Sequence, residues 1–196
     1  MTTPGWLALA ATCAGLVALL ADGRRGAAVA AAALGLGGGG IASLAGGPGA
    51  FLVVSVPSGL AAVAIAVGGR PGPGGTGALL VPALAELFGA RALRVAGGVI
   101  ALLAARWLAG HLAAGLVATP APVFSCAFLW EVALMRAGLA RTAVETAVGL
   151  LAAAVATSAF LLLGGGTEKL AVAALAVAVA AAGCILVAIP GWGRVR

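Results

Sequence analysis

The segment Ala104–Gly115 reads AARWLAGHLAAG and holds the residues best suited to chemistry. Arg106 brings a permanent charge, and His111 is the single histidine of the chain. Both interrupt an apolar run. A guanidinium in such a place can pair with an acid or hold an anion, and a titratable ring can relay protons. A helix over about 95–117 puts Arg106 about 16 Å and His111 about 24 Å from its start. Arg106 then falls near the middle of a hydrocarbon layer about 30 Å thick, where a lone charge costs roughly 2.5–3.5 kcal/mol. It needs a partner. Glu131 lies in the next apolar run, which returns antiparallel after a very short turn, at a depth differing by about 7 Å. The expectation is an Arg106–Glu131 pair that either fixes helix packing or binds a solute, an ion or a lipid headgroup. His111, five residues beyond Arg106, points about 140° away, toward an outer water-filled cavity or a backbone carbonyl.

These residues belong to a chain with the composition of a membrane protein. Of 196 residues, 63% are hydrophobic and 8% charged, with a mean hydropathy of +1.22. Soluble chains carry roughly 25% charge. A soluble fold of this length has too little interior to hide so much apolar surface. Several apolar runs approach the roughly 20 residues that cross a bilayer as a helix. The expected fold is a single all-α integral membrane domain over 1–196, in contact with the lipid bilayer. The net charge of +6 comes mostly from arginines between the runs. That pattern signals topology and does not point to nucleic acid. The Ala, Gly and Arg usage fits a bacterial cytoplasmic membrane.

Helices are expected at about 5–21, 26–46, 50–68, 95–117, 122–137, 143–163 and 169–189. The N-terminal run lacks a basic leader and has its charges after the apolar stretch, so it reads as a retained first helix. Arg24, Arg25, Arg70, Arg136, Arg141, Arg194 and Arg196 fall in alternate connections, whereas the 47–49 and 118–121 turns carry no charge. The positive-inside rule then gives seven spans, with the N-terminus outside and the C-terminus cytoplasmic. This requires that 78–90, ALLVPALAELFGAR in its extended form, lie on the cytoplasmic face as an amphipathic helix or enter as a re-entrant hairpin. Eight spans is the alternative, with Arg91 and Arg94 outside.

Four consecutive glycines, Gly37–Gly40, interrupt the second helix. They either allow close helix packing or break the helix, and a broken span often forms a binding site in transporters. The loop GGRPGPGGTG at 68–77 is rich in potential anion-binding amides, with Arg70 beside them. It lacks the Lys-Ser/Thr of a phosphate-binding loop. Arg70, Arg91 and Arg94 are candidate contacts for an anion or a lipid headgroup. Thr142 and Glu145 have the spacing of a capping box. Glu168 and Lys169 are placed to cap the last helix, and Thr157 and Ser158 to bond to backbone or across an interface. Cys13, Cys126 and Cys184 are far apart and form no metal-ligand pattern. No catalytic set, metal site or cofactor is implied.

Four short stretches, SVPSG at 55–59, GGTG at 74–77, Gly110-His111 and PVF at 122–124, are similar in order to motifs of the small bacterial glycerol-3-phosphate acyltransferases of the acyl-phosphate type. Those enzymes have about seven spans, an outside N-terminus and Gly-rich cytoplasmic motifs. The family's GSGN-type and GGKG-type motifs are missing here, and membership is not assigned. The leading expectation is a small membrane-transport component, either a permease-like bundle, singly or as a homo-oligomer, or the membrane subunit of a transport complex. The alternatives are a membrane enzyme of lipid-phosphate metabolism and a packing subunit of a membrane complex. Whether the chain is an enzyme is left open.

Overall fold

The computed structural model describes residues 3–68, 90–112, 120–140, 142–165 and 168–189. Among these residues it has six helices and no strand. They are α1 (Thr3–Leu20), α2 (Gly23–Val67), α3 (Ala90–Leu112), α4 (Pro120–Gly138), α5 (Ala143–Leu163) and α6 (Glu168–Ala188). Five of them, α4 excepted, contain a stretch long and apolar enough to cross a membrane. The expected segments at 68–77 and 78–90 lie outside the described residues but for Gly68 and Ala90, and of the 118–121 turn Pro120 and Ala121 are described, at the start of α4.

The 45-residue α2 is two antiparallel arms. Gly47 leaves helical geometry at φ 65°, ψ −161°. Positive φ is open to glycine without the Cβ clash that other residues suffer, and Pro48 then starts the second arm with its φ already fixed. The arms meet face to face. The Ser55 hydroxyl donates to the Gly35 carbonyl at 2.9 Å. A Cβ on Gly35 would lie 2.6 Å from that of Ser58. The expected second and third helices are therefore present, joined by the expected turn.

No helix break occurs at Gly37–Gly40; the chain turns at Gly47. The four glycines are helical and buried. Successive residues rotate by about 100°, so four in a row face almost every direction. A Cβ at Gly37 would lie 2.9 Å from the Ala11 Cα, and one at Gly40 would lie 3.2 Å from Leu7, both on α1. Gly38 abuts Val155 of α5, and Gly39 abuts Ser55 of the returning arm. The first arm is thus the central helix, enclosed by α1, α5 and the second arm. Each glycine costs a helix about 1 kcal/mol relative to Ala. Unravelling would free backbone groups with no water to receive them, which costs more.

The packing continues outward from this axis. α6 packs on α2 and α5, and α4 packs on α1 and α5. α3 leans on α4 and touches α1 lightly, so it forms the edge of the bundle. Phe128, Leu129, Leu34, Ile41, Val54, Leu151 and Val155 are wholly buried. Gly15 and Gly149 admit α4 closely: a Cβ on either would lie under 3.0 Å from Phe128 and Ala137, respectively. The outer surface carries Leu36, Leu60, Val63, Leu103, Trp107, Leu175 and Val179, each about 60% exposed. A water-facing surface of this kind would aggregate. The apolar helices and this exterior fit a membrane protein.

The central packing makes a sharp prediction. Gly38→Ala should destabilise the bundle by about 1–3 kcal/mol through overpacking against Val155. Adding Val155→Ala should restore part of that loss. Thermal unfolding of the single and double variants in one detergent checks it, and additive losses would contradict the contact.

Candidate functional site

Polar side chains gather at the two ends of the bundle. At one end the C-terminus of α1, the start of α2, the end of its second arm, the start of α3, the end of α4 and the start of α5 come together. Arg24 donates from Nε to the Ile65 carbonyl at 2.6 Å and from Nη2 to the Ala66 carbonyl at 2.7 Å. These carbonyls have no intrahelical partner at a helix C-terminus, where a cation is also favoured by the helix dipole. Arg94 of α3 pairs with Asp22, which precedes α2. Arg136 of α4 donates from Nη1 to the Ala18 carbonyl and, at 3.2 Å, to that of Ala21.

This end therefore carries Arg24, Arg94 and Arg136 together. Two of these contacts bear on topology. Arg24 ties the end of the second arm to the start of the first, and Arg94 ties the start of α3 to Asp22. The end of the second arm and the start of α3 therefore lie at the same end of the bundle.

Arg136 was read in the sequence only as a loop charge. In the structure it is 5% exposed, and its Nε and Nη2 have no hydrogen-bond partner. With Leu19, Arg94, Leu139, Ala140 and Glu145 it lines a small cavity of about 10 Å³. Glu145 also takes its expected capping place: its backbone N–H donates to the Thr142 hydroxyl at 3.2 Å, and Thr142 is the N-cap of α5.

At the other end the expected Arg106–Glu131 pair does not form. α3 begins at Ala90 rather than near 95, one and a half turns earlier. Arg106 is then about 24 Å from the helix start and about 18 Å along α3 from Arg94. It sits beside Pro120, Ala121 and Phe124 at the start of α4. Glu131 lies seven residues past Phe124, about 10 Å farther along the axis, and is half-buried. Arg106 is exposed and has no hydrogen-bond or ion-pair partner among the described residues. It borders an open cleft of about 490 Å³ with Ala109, Gly110, Pro120, Ala121 and Phe124.

His111 takes the backbone alternative. Its Nδ1 is 2.9 Å from the Trp107 carbonyl, one turn back, and the two rings lie 4.3 Å apart. It is exposed in the last described turn of α3 and is not joined to Arg106. Of the three candidate anion contacts, Arg94 is engaged by Asp22. Arg70 is outside the described residues, and Arg91 is described only as backbone of α3. Gly37–Gly40 form packing surface and line none of these cavities.

Hydroxyl groups make the remaining cross-helix links. Buried Ser125 of α4 donates to the Ala8 carbonyl of α1 at 2.8 Å and lies 3.1 Å from the Thr12 hydroxyl. Ser158 of α5 reaches the Ala173 carbonyl of α6 at 3.3 Å, and Thr157 bonds to its own helix at Ala153. Lys169 donates to the Gly164 carbonyl at 3.2 Å, across the α5–α6 turn. Among the described residues no group of three acidic, His or Cys side chains is placed to hold a metal. No family model, curated protein or solved structure matches the chain.

Ser125→Ala should loosen the α1–α4 seam, with a loss of about 1 kcal/mol. Ser125→Thr, which keeps the hydroxyl, tests whether the bond or the small volume matters. Detergent unfolding of both variants checks this, and an unchanged midpoint for Ser125→Ala would remove the bond from the account.

Proposed function

We propose that this chain is a multi-pass protein of a bacterial cytoplasmic membrane that acts as a small transport component. It works as a permease-like bundle, alone or as a homo-oligomer, or as the membrane subunit of a transport complex. The observation that carries the reading is the contrast between the two ends. One end is closed by Arg24, Arg94 and Arg136, which are bonded to carbonyls and to Asp22. The other holds an open cleft of about 490 Å³ with Arg106 at its wall and no acid paired to it. A charge in a membrane protein is costly unless it meets a partner or water, so such a residue by default marks a solute path. The cleft suits an anionic or strongly polar solute.

The same contrast supports seven spans with the N-terminus outside. Two α2 arms and five further helices make seven segments. The second α2 arm ends and α3 begins at the same end of the bundle, as the seven-span arrangement requires. The end that collects Arg24, Arg94 and Arg136 is then the cytoplasmic one.

Two experiments test this. Cys13 is exposed midway along α1, whereas Cys126 and Cys184 are buried. In native vesicles a charged, water-confined maleimide should leave Cys13 unlabelled, because a thiol facing hydrocarbon does not form the reactive thiolate, and should label it once the chain is unfolded in denaturant. Rapid labelling by the charged reagent would place that face of α1 in water and overturn the membrane arrangement. For transport, proteoliposomes on a solid-supported membrane should give a current on a jump to at least one of phosphate, sulfate, acetate or lactate. Arg106→Gln should reduce that current at least about tenfold, the loss expected for one desolvated charge contact worth about 1.4 kcal/mol or more. Silence for every solute, or equal currents from the variant, would refute Arg106 as part of an anion path.

A further inference from the structure

The walls of the Arg106 cleft narrow the class of solute, an inference that rests on the transport reading. Among the described residues the cleft is formed by Arg106, Ala109 and Gly110 of α3 and by Pro120, Ala121 and Phe124 of α4. Arg106 is the one charged side chain among them, and it has no hydrogen-bond or ion-pair partner among the described residues. A guanidinium in this position offers a planar fork, which grips two coplanar acceptor oxygens.

The other wall residues set what those oxygens belong to. None of their side chains is a donor or an acceptor. The start of α4 favours an anion through its dipole, yet Pro120 and Pro122 have no N–H to give. A sulfate or phosphate on the Arg106 fork would hold its remaining oxygens against apolar side chains, which is costly. The ligand that matches has one negative charge, two oxygens to accept the fork, and an apolar body.

Phe124 and Gly110 shape the room for that body. The Phe124 ring lies parallel to that of Phe128, with centroids 6.4 Å apart and planes at 5°. Phe128 is wholly buried and so backs Phe124 firmly. An aromatic face held in this way packs well against a second ring. Across from it, a Cβ on Gly110 would meet nothing within 4 Å. The resulting volume of about 490 Å³ is that of a site for a small organic molecule.

We propose that the cleft binds an amphipathic monocarboxylate, with its carboxylate on the Arg106 fork and its aromatic or short aliphatic body against Phe124. The solute carried is then of this class and not an inorganic oxyanion.

The test is calorimetric titration of the full chain in detergent at neutral pH, where carboxylic acids are ionised. Benzoate should bind saturably. Benzamide, which keeps the ring and lacks the charge, should not bind, and phosphate and sulfate should bind at least about tenfold more weakly than benzoate. Arg106→Gln should weaken benzoate at least about tenfold. Gly110→Leu fills the cleft without touching a charge and replaces a poor helix former with a good one. It should weaken benzoate by a similar factor while the unfolding midpoint is kept or raised. If Arg106→Gln does not fold, fluorine NMR of para-fluorobenzoate with the native chain gives the answer, with broadening that benzoate competes away and benzamide does not. Equal binding of benzamide, an unchanged affinity in either variant, or no saturable benzoate binding would each overturn the proposal. So would a co-purified phospholipid at Arg106 that benzoate does not displace. Benzoate binding with no current for any solute would refute the transport reading and keep this site, whereas a phosphate or sulfate current without benzoate binding would do the reverse.

Discussion

The bundle depends on the missing side chains of Gly37–Gly40. In lipid, helices gain nothing by hiding apolar surface from one another, because the solvent is as apolar as they are. Association must come from close packing and from the few polar bonds that closeness permits. Without Cβ atoms the first α2 arm admits α1 on one side, Val155 of α5 on another and Ser55 of the returning arm on a third. The Ser55 bond to the Gly35 carbonyl exists only because the two backbones approach so nearly. The same logic recurs at Gly15 beneath Phe128 and at Gly149 against Ala137. Glycine in a water-exposed helix of this length would promote fraying. Here the surroundings hold the backbone bonds in place, and the cost of glycine is limited to conformational entropy.

Once the helices are this close, their ends must be satisfied within a small area. Arginine meets the need twice. Arg24 reaches the last carbonyls of the second α2 arm, and Arg136 reaches those of α1. Each lies on a different segment from the carbonyls it serves, so each is both a cap and a cross-link. Arg24 spans its two carbonyls with two nitrogens of the planar fork, which a Lys ammonium could not copy, whereas Arg136 serves both of its carbonyls from Nη1. The arginines that gather at this end of the bundle are the groups that close its helix ends.

What the sequence reveals follows from which interactions are local. Helix lengths, the turn at 47–49, the Thr142 cap of α5 and the Ser158 cross-link rest on apolar run length, turn residues and short-range spacing, all visible along the chain. The depth of Arg106 was not visible. Arg91 and Arg94 look like loop charges, yet α3 already includes them, and Arg94 lies beside Arg136 at the closed end, so Arg106 stands about 18 Å along α3 from that level. Arg136 was misjudged for a related reason. Its position near a loop suggests solvent, but whether it is exposed depends on α1 ending at the same level. Nothing in the spacing within α4 states where α1 ends. The continuity of Gly37–Gly40 also depends on non-local contacts, since local propensity alone favours a break there.

The distribution of acids gives the last step. The chain has five, against eleven basic side chains. Asp22 is taken by Arg94, and Glu145 faces the Arg136 cavity at the start of α5. Glu168 opens α6, which packs on α2 and α5, far from α3 in the packing order. Glu131 is about 10 Å along α4 from the level of Arg106. The acids within reach of a partner are thus used at the closed end, and the described chain supplies none to Arg106. A guanidinium on a helix of this hydropathy needs compensation from water, a lipid headgroup or an anionic solute. Each of these must enter the cleft from outside. The asymmetry in charge pairing, more than any single residue, makes one end of the bundle a fastening and the other an opening.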